Sequence, residues 1–281
     1  MCFNGVAPPS RGGHQSNAPY IVLKMVRVRL HSRHPSRSTN FCEIGPVNTS
    51  EMSSASVECI AEGNAPSLTI DFFYDFVCPW CLIGKRHLRA ALSRLAELRP
   101  DVHVRVQWRS QQLLPDIPVG GVPYDVFYVS RLGSPEAVTR RRAQVAQAAS
   151  VADLKLAFER IEVMPNTAAA HRLLAWVTEQ GSEIQQAALI ENLFMAYFME
   201  GEDIGDPAVL AWRALKCGVE PEGLRHFLAA SSASNDGIFR STHAGYAVSG
   251  VPFLVFNGTY ALSGAYPADA LVETMLPLIQ G

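Results

Sequence analysis

"SLTIDFFYDFVCPWCLIGKRHLRAAL", residues 67–92, runs from an almost unbroken apolar and aromatic stretch, through two cysteines three apart, into an amphipathic one. Residues 68–76 have the composition of a strand buried on both faces. Cys78-Pro79 ends that run. Leu82, Ile83, Leu88, Leu92, Leu95 and Leu98 then recur at helical spacing until Pro100 stops the pattern. Downstream, "VHVRVQW" (102–108) alternates strictly and predicts a second strand. Strand, helix and strand in so short a span imply a parallel unit with a right-handed crossover.

Residues 109–122 contain Pro115, Pro118 and Gly120-Gly121 and read as loop. From Pro123 to about Ala247 the pattern is helical, with starts expected at Ser134-Pro135, Asn166, Asp206-Pro207 and Pro221. "LKLAFERI" (154–161) fits either an extended or a helical segment. The tail returns to strands, "VPFLVF" and "TYAL", around Asn257-Gly258, a hairpin signal because both residues tolerate positive φ. A last helix follows Ser263-Gly264, with Pro267 in its first turn. This order predicts an α/β chain with a thioredoxin-like fold and an inserted all-helical domain. The expected parts are residues 67–112 with 248–281 for the thioredoxin-like domain and 113–247 for the helical insertion.

The 281 residues are 48% hydrophobic, 18% charged and 9% aromatic, with a net charge of −2, as in an ordinary soluble globular protein. That balance gives no reason to expect nucleic acid or a membrane surface as partner, and no apolar run approaches the roughly 18 residues of a membrane span. Residues 1–42 lack Asp and Glu but carry Arg11, Lys24, Arg27, Arg29, Arg33 and Arg37 amid Ser, Pro and Gly. Residues 1–66 are therefore expected to be a disordered basic extension, with an organellar transit peptide as the alternative. Six cysteines are too few for a disulfide scaffold, and a single close pair fits a reducing, cytoplasmic setting.

Cys78 and Cys81 admit three readings: a redox pair, half of a zinc site, or packing. A zinc site wants four ligands, and no second C-x-x-C or H-x-x-x-H exists, so no metal is expected. The thiolate is the form that attacks a disulfide, and a cysteine opening a helix gains unpaired N–H groups and the positive end of the dipole. Pro79 suits the first helical position. On this geometry Cys78 is an exposed nucleophile and Cys81 a buried resolving thiol, with Pro79-Trp80 adding no ionisable group between them. In a thioredoxin fold Pro252 would have a cis peptide bond and pack beside the pair, leaving the Val251 backbone free for an extended substrate. Asp71, an acid in an apolar strand, suits either a proton acceptor for the resolving thiol or a structural hydrogen bond. Asp75 ranks lower because it falls in the expected loop.

"DFFYDFVCPWCLIGKRHL" (71–88), "MPNTAAAHRLLAWV" (164–177), "AYFMEGEDIGD" (196–206) and "GVPFLVFNGTYALSGAYPADAL" (250–271) together resemble the DsbA-like oxidoreductases of the FrnE type. These are grouped with 2-hydroxychromene-2-carboxylate isomerases and kappa-class glutathione transferases. The resemblance implies thiol–disulfide chemistry at Cys78 and Cys81, a cis Pro252, thiol or disulfide substrates (protein or small molecule), and homodimers as a common state. No cofactor is obligatory, and glutathione enters as a reductant or co-substrate. The alternatives are a glutathione-dependent isomerase or transferase, whose members typically have serine at the position of Cys78, and a non-catalytic binding or holdase module. Asn166 matches a segment that supplies a substrate-facing Asn in the isomerases, but before an apolar helical run it also reads as an N-cap. Gln112 stands where relatives more often have an aromatic residue. "RLGSPEAVTRRR" (131–142) reads as a solvated basic helix face that would otherwise attract an anion.

Overall fold

The computed structural model describes residues 26–27, 65–180, 183–234, 238–239, 246 and 248–279. Apart from residues 26–27 and 65–66, the expected disordered extension (1–66) lies outside them. The strands are β1 (Val26–Arg27), β2 (Ser67–Tyr74), β3 (His103–Ser110), β4 (Val122–Pro123), β5 (Val163–Met164), β6 (Phe253–Phe256) and β7 (Tyr260–Ser263). The helices are α1 (Pro79–Leu98), α2 (Tyr124–Leu132), α3 (Pro135–Val151), α4 (Ala168–Gln180), α5 (Glu183–Met195), α6 (Pro207–Lys216), α7 (Pro221–Ser234) and α8 (Ala268–Met275).

The main sheet has the order β1-β7-β6-β2-β3. β2 lies parallel to β3 from Ser67↔His103 to Tyr74↔Ser110 and antiparallel to β6, with Phe72 opposite Leu254. The β2-α1-β3 crossover is thus the unit its periodicity predicts. Strand parity divides β2 between two faces. Leu68, Ile70, Phe72 and Tyr74 share one core with Cys78, Cys81, Leu82 and Ile83, under α1 and α8. Phe73 packs on the other face with Val255, Ala261 and Tyr246. Asn257 and Gly258 turn the β6-β7 hairpin with φ of 47° and 66°.

α2 to α7 form the helical insertion between β3 and β6, tied together in part by the small β4-β5 ladder. The expected starts are present. The Ser134 Oγ accepts from Ala137 N at 3.2 Å, with Pro135 next; Asp206 Oδ1 accepts from Ala208 N at 2.8 Å; α7 opens at Pro221. These caps satisfy N–H groups that a first turn leaves without intrahelical acceptors. "LKLAFERI" becomes an irregular stretch followed by a single 3₁₀ turn at Phe158–Arg160. α5 runs into a π-helical turn, Ala196–Glu200, closed by Gly201 at φ 74°. Among the described residues, no helix is long and apolar enough to cross a membrane.

Candidate active site

The end of β2 and the start of α1 place the cysteines. Asp75–Val77 turn the chain, with Cys78 N donating to Asp75 O at 3.1 Å. Cys78 is then the N-cap of α1, extended at φ −92° and ψ 108°, with Pro79 in the first turn. Cys81 N donates to Cys78 O at 3.0 Å, so both side chains sit on the opening turn. Both thiols are free. Burial pushes the Cys81 thiol well above the ordinary cysteine range, and the adjoining Cys78 raises it further; a backbone hydrogen bond from Asp75 pulls the other way.

One expectation needs correction. Cys78 is 1% exposed, nearly as sealed as Cys81 at 0%. The reason lies 173 residues away, where Val251 comes back over the turn and its carbonyl accepts a hydrogen bond from Cys78 Sγ at 3.5 Å. That carbonyl is therefore engaged by the thiol. The Val251-Pro252 bond is cis. Pro252 is buried against α1 at Gly84, where a Cβ would come within 3.3 Å of Pro252 Cγ. Glycine lets helix and loop approach this closely.

Of the two roles open for Asp71, the structure shows the hydrogen-bonded one. Asp71 shares the Phe73 side of β2 and pairs with Arg109 at 2.5 Å, away from the cysteine core. The carboxylate at the cysteines is Asp75, fully buried at the turn. Its Oδ2 accepts from Leu113 N at 2.7 Å, its Oδ1 meets His171 Nε2 at 3.1 Å, and its charge acts on Cys81. His171 is also fully buried, between the rings of Phe76 at 4.9 Å and Phe239 at 5.2 Å, and its Nδ1 has no hydrogen-bond partner. His171 was not picked out in the sequence. The available signal was its place among Ala170 and Leu174 on an apolar helix face, since a buried imidazole needs a partner.

Asn166 caps α4: its Oδ1 accepts from Ala168 N at 2.9 Å and from Gln112 Nε2 at 2.9 Å, and its Nδ2 donates to Ile117 O at 2.5 Å. At 3% exposure it clamps the loop after β3 to α4. Gln112 completes the clamp by accepting from Phe239 N at 2.7 Å.

Beside the cysteine turn a cleft of about 200 Å³ opens between α1, α2 and α3. Pro79, Trp80, Tyr124, Tyr128, Val138 and Phe158 form its apolar wall. The basic face of α3 is not simply solvated: Arg141 lies over Trp80 at 5.8 Å and Arg142 over Tyr124 at 4.9 Å. Burial pushes the Tyr128 phenol up, with the charges of Tyr124 and Cys78 adding to it. Among the described residues, no three His, Cys, Asp or Glu side chains gather into a metal-binding group.

In overall structure the chain is similar to a "probable DsbA oxidoreductase" from Streptomyces coelicolor, with TM-score 0.65, 24% identity, and coverage of 75% of this chain and 89% of that one. It is also similar to a candidate protein disulfide isomerase from Nitrosomonas europaea, with TM-score 0.52, 17% identity, and coverage of 75% and 95%. A comparison with curated protein sequences gives no match. The description "DSBA-like thioredoxin domain" fits residues 69–275, from the second residue of β2's core run to the end of α8. With that match spanning both halves of the sheet and everything between them, the chain belongs to the DSBA-like thioredoxin domain family.

Proposed function

We propose that this protein is a thiol–disulfide oxidoreductase of the FrnE type, with Cys78 attacking and Cys81 resolving. The observation that carries this reading is the pair of free thiols on the opening turn of α1, one at the N-cap and one sealed behind it. The Cys78 thiolate attacks one sulfur of a substrate disulfide. A Cys78–substrate disulfide forms, the substrate S–S bond breaks, and one thiolate leaves. Cys81 then loses its proton and attacks the Cys78 sulfur, which closes the Cys78–Cys81 disulfide and releases the second thiolate. Two electrons pass from the dithiol to the substrate; run backwards, the same steps insert a disulfide.

Burial holds Cys81 in the thiol form, so the second step needs a nearby proton acceptor. We assign that role to the buried Asp75, whose charge acts on Cys81 and which is backed by His171. The slight exposure of Cys78 adds a requirement: an incoming sulfur must displace the Val251 carbonyl from the thiol.

The test is to express Cys81→Ser in cells, quench with acid, and identify what is covalently held at Cys78. Mixed disulfides with protein or small-molecule thiols are expected, absent from Cys78→Ser. Capture of glutathione alone, together with activity that survives Cys81→Ser, would replace this reading with a glutathione-dependent isomerase or transferase.

A further inference from the structure

The cleft beside the cysteines has a chemical character of its own. Among its described lining residues three are cations, Arg131, Arg141 and Arg142, and none is an acid. Arg142 pairs with Asp125 at 2.6 Å, outside the lining, and the Asp125 side chain is 79% exposed. Arg142 also keeps a buried Nε–H without an acceptor. The guanidinium groups lie over aromatic rings, Arg141 over Trp80 and Arg142 over Tyr124, a cation–π attraction that favours their position along the apolar wall. Trp80 and Pro79, the residues between the cysteines, form one side of the cleft, and the charge of Cys78 reaches Tyr128 on its wall, so a group lodged there lies next to the cysteine turn. A volume of about 200 Å³ has room for a single ring-sized organic group and none for a polypeptide surface.

We propose that this cleft is the specificity site for the group attached to the substrate sulfur, and that it selects low-molecular-mass disulfides with an aromatic or apolar body bearing a carboxylate. The proposal rests on the thiol–disulfide reading and deepens it. An apolar body fills the Tyr124, Tyr128 and Val138 wall while the carboxylate meets the arginines, the fork geometry of guanidinium suiting a carboxylate better than a point charge does.

The experiment follows a single turnover of the reduced protein by stopped flow with two aromatic disulfides. One is the dianionic 5,5′-dithiobis(2-nitrobenzoate) and the other the neutral 2,2′-dithiodipyridine, each rate being divided by that of 2-mercaptoethanol thiolate with the same probe. The normalised rate should favour the anionic probe by about tenfold at low salt, and the preference should shrink as salt rises to about 0.5 M. Arg141→Gln, on the accessible face of α3, should lower the preference about fivefold, and Arg142→Gln more. Arg142→Lys, which keeps the charge and loses the fork, should fall between. Equal normalised rates, with the arginine variants leaving the ratio unchanged, overturn the cleft assignment while the redox reading stands. Slower insulin disulfide reduction in the arginine variants, with an unchanged preference between the small probes, also overturns it, because the occupant is then a polypeptide. Failure of both probes to oxidise Cys78 and Cys81 overturns the redox reading itself, and this proposal with it.

Discussion

The Asp75 carboxylate and the His171 imidazole meet at 3.1 Å with neither side chain exposed, joining the turn that carries the cysteines to helix α4 of the insertion. Asp75→Asn keeps an acceptor for Leu113 N–H but removes the charge. It should slow the closing of the Cys78–Cys81 disulfide about 100-fold, the usual reach of a lost general base. The first attack by Cys78 should change by less than about threefold. Rapid-quench resolution of the mixed disulfide from the closed disulfide checks this, and equal slowing of both steps would remove Asp75 from the proton path. His171→Leu leaves the buried carboxylate short of a partner and should cost about 3 kcal/mol in urea unfolding.

Stability should fall in alkali, and more steeply for the reduced protein. Burial raises Cys81 above its unfolded value, so the folded thiol keeps its proton where the unfolded one loses it. The unfolded state then binds fewer protons, and stability declines with rising pH. That loss begins near pH 8.5 at up to about 1.4 kcal/mol per pH unit and continues until the folded thiol ionises. Oxidation removes the Cys81 proton from both sides of the balance, so between about pH 8.5 and 10 the oxidised protein should decline less steeply, keeping only the loss from Cys217, which burial also raises. Burial raises Tyr74, Tyr128 and Tyr197 as well, and a further loss common to both forms should begin near pH 10. Urea titrations of the two forms across this range measure the difference.

Pro79-Trp80 places no charged donor between the cysteines. The reduced thiolate gains nothing from the intervening residues, so the pair should be less oxidising than DsbA at about −120 mV and closer to thioredoxin at about −270 mV. Equilibration with glutathione or dithiothreitol buffers, read by trapping of free thiols, gives the potential; a value near that of DsbA would sink the argument.

Asn166 offers a test of cap against substrate contact. Asn166→Ala should lower stability by about 1–2 kcal/mol, because a cap and a clamp across Gln112 and Ile117 are lost together. Disulfide reduction by the folded fraction should change less than about twofold. A large change in KM at unchanged stability would make Asn166 a substrate contact instead.

Much of the architecture could be read locally. The βαβ unit followed from one apolar run, one helical period and one alternation. Four helix starts followed from Ser134-Pro135, Asn166, Asp206-Pro207 and Pro221, because capping is chemistry between residues two or three apart. The site was less legible. Choosing between Asp71 and Asp75 required the strand to end at Tyr74, which puts Asp71 on the Arg109 face and folds Asp75 inward. The partner that identifies Asp75, His171, is 96 residues on. The burial of Cys78 depends on Val251, more distant still, and the arginines of α3 gain their cleft only by packing against α1 and α2. Such contacts have no local sequence period.

The hydrogen bond from Cys78 to Val251 can be viewed as a latch keyed by a single proton. It exists only while Cys78 is a thiol, since neither a thiolate nor a disulfide sulfur has a hydrogen to give. Ionisation that arms the nucleophile therefore also frees a main-chain acceptor beside it. An extended substrate can present its own N–H to that carbonyl at the moment its disulfide comes within reach of the sulfur, so readiness to react and readiness to bind switch on together.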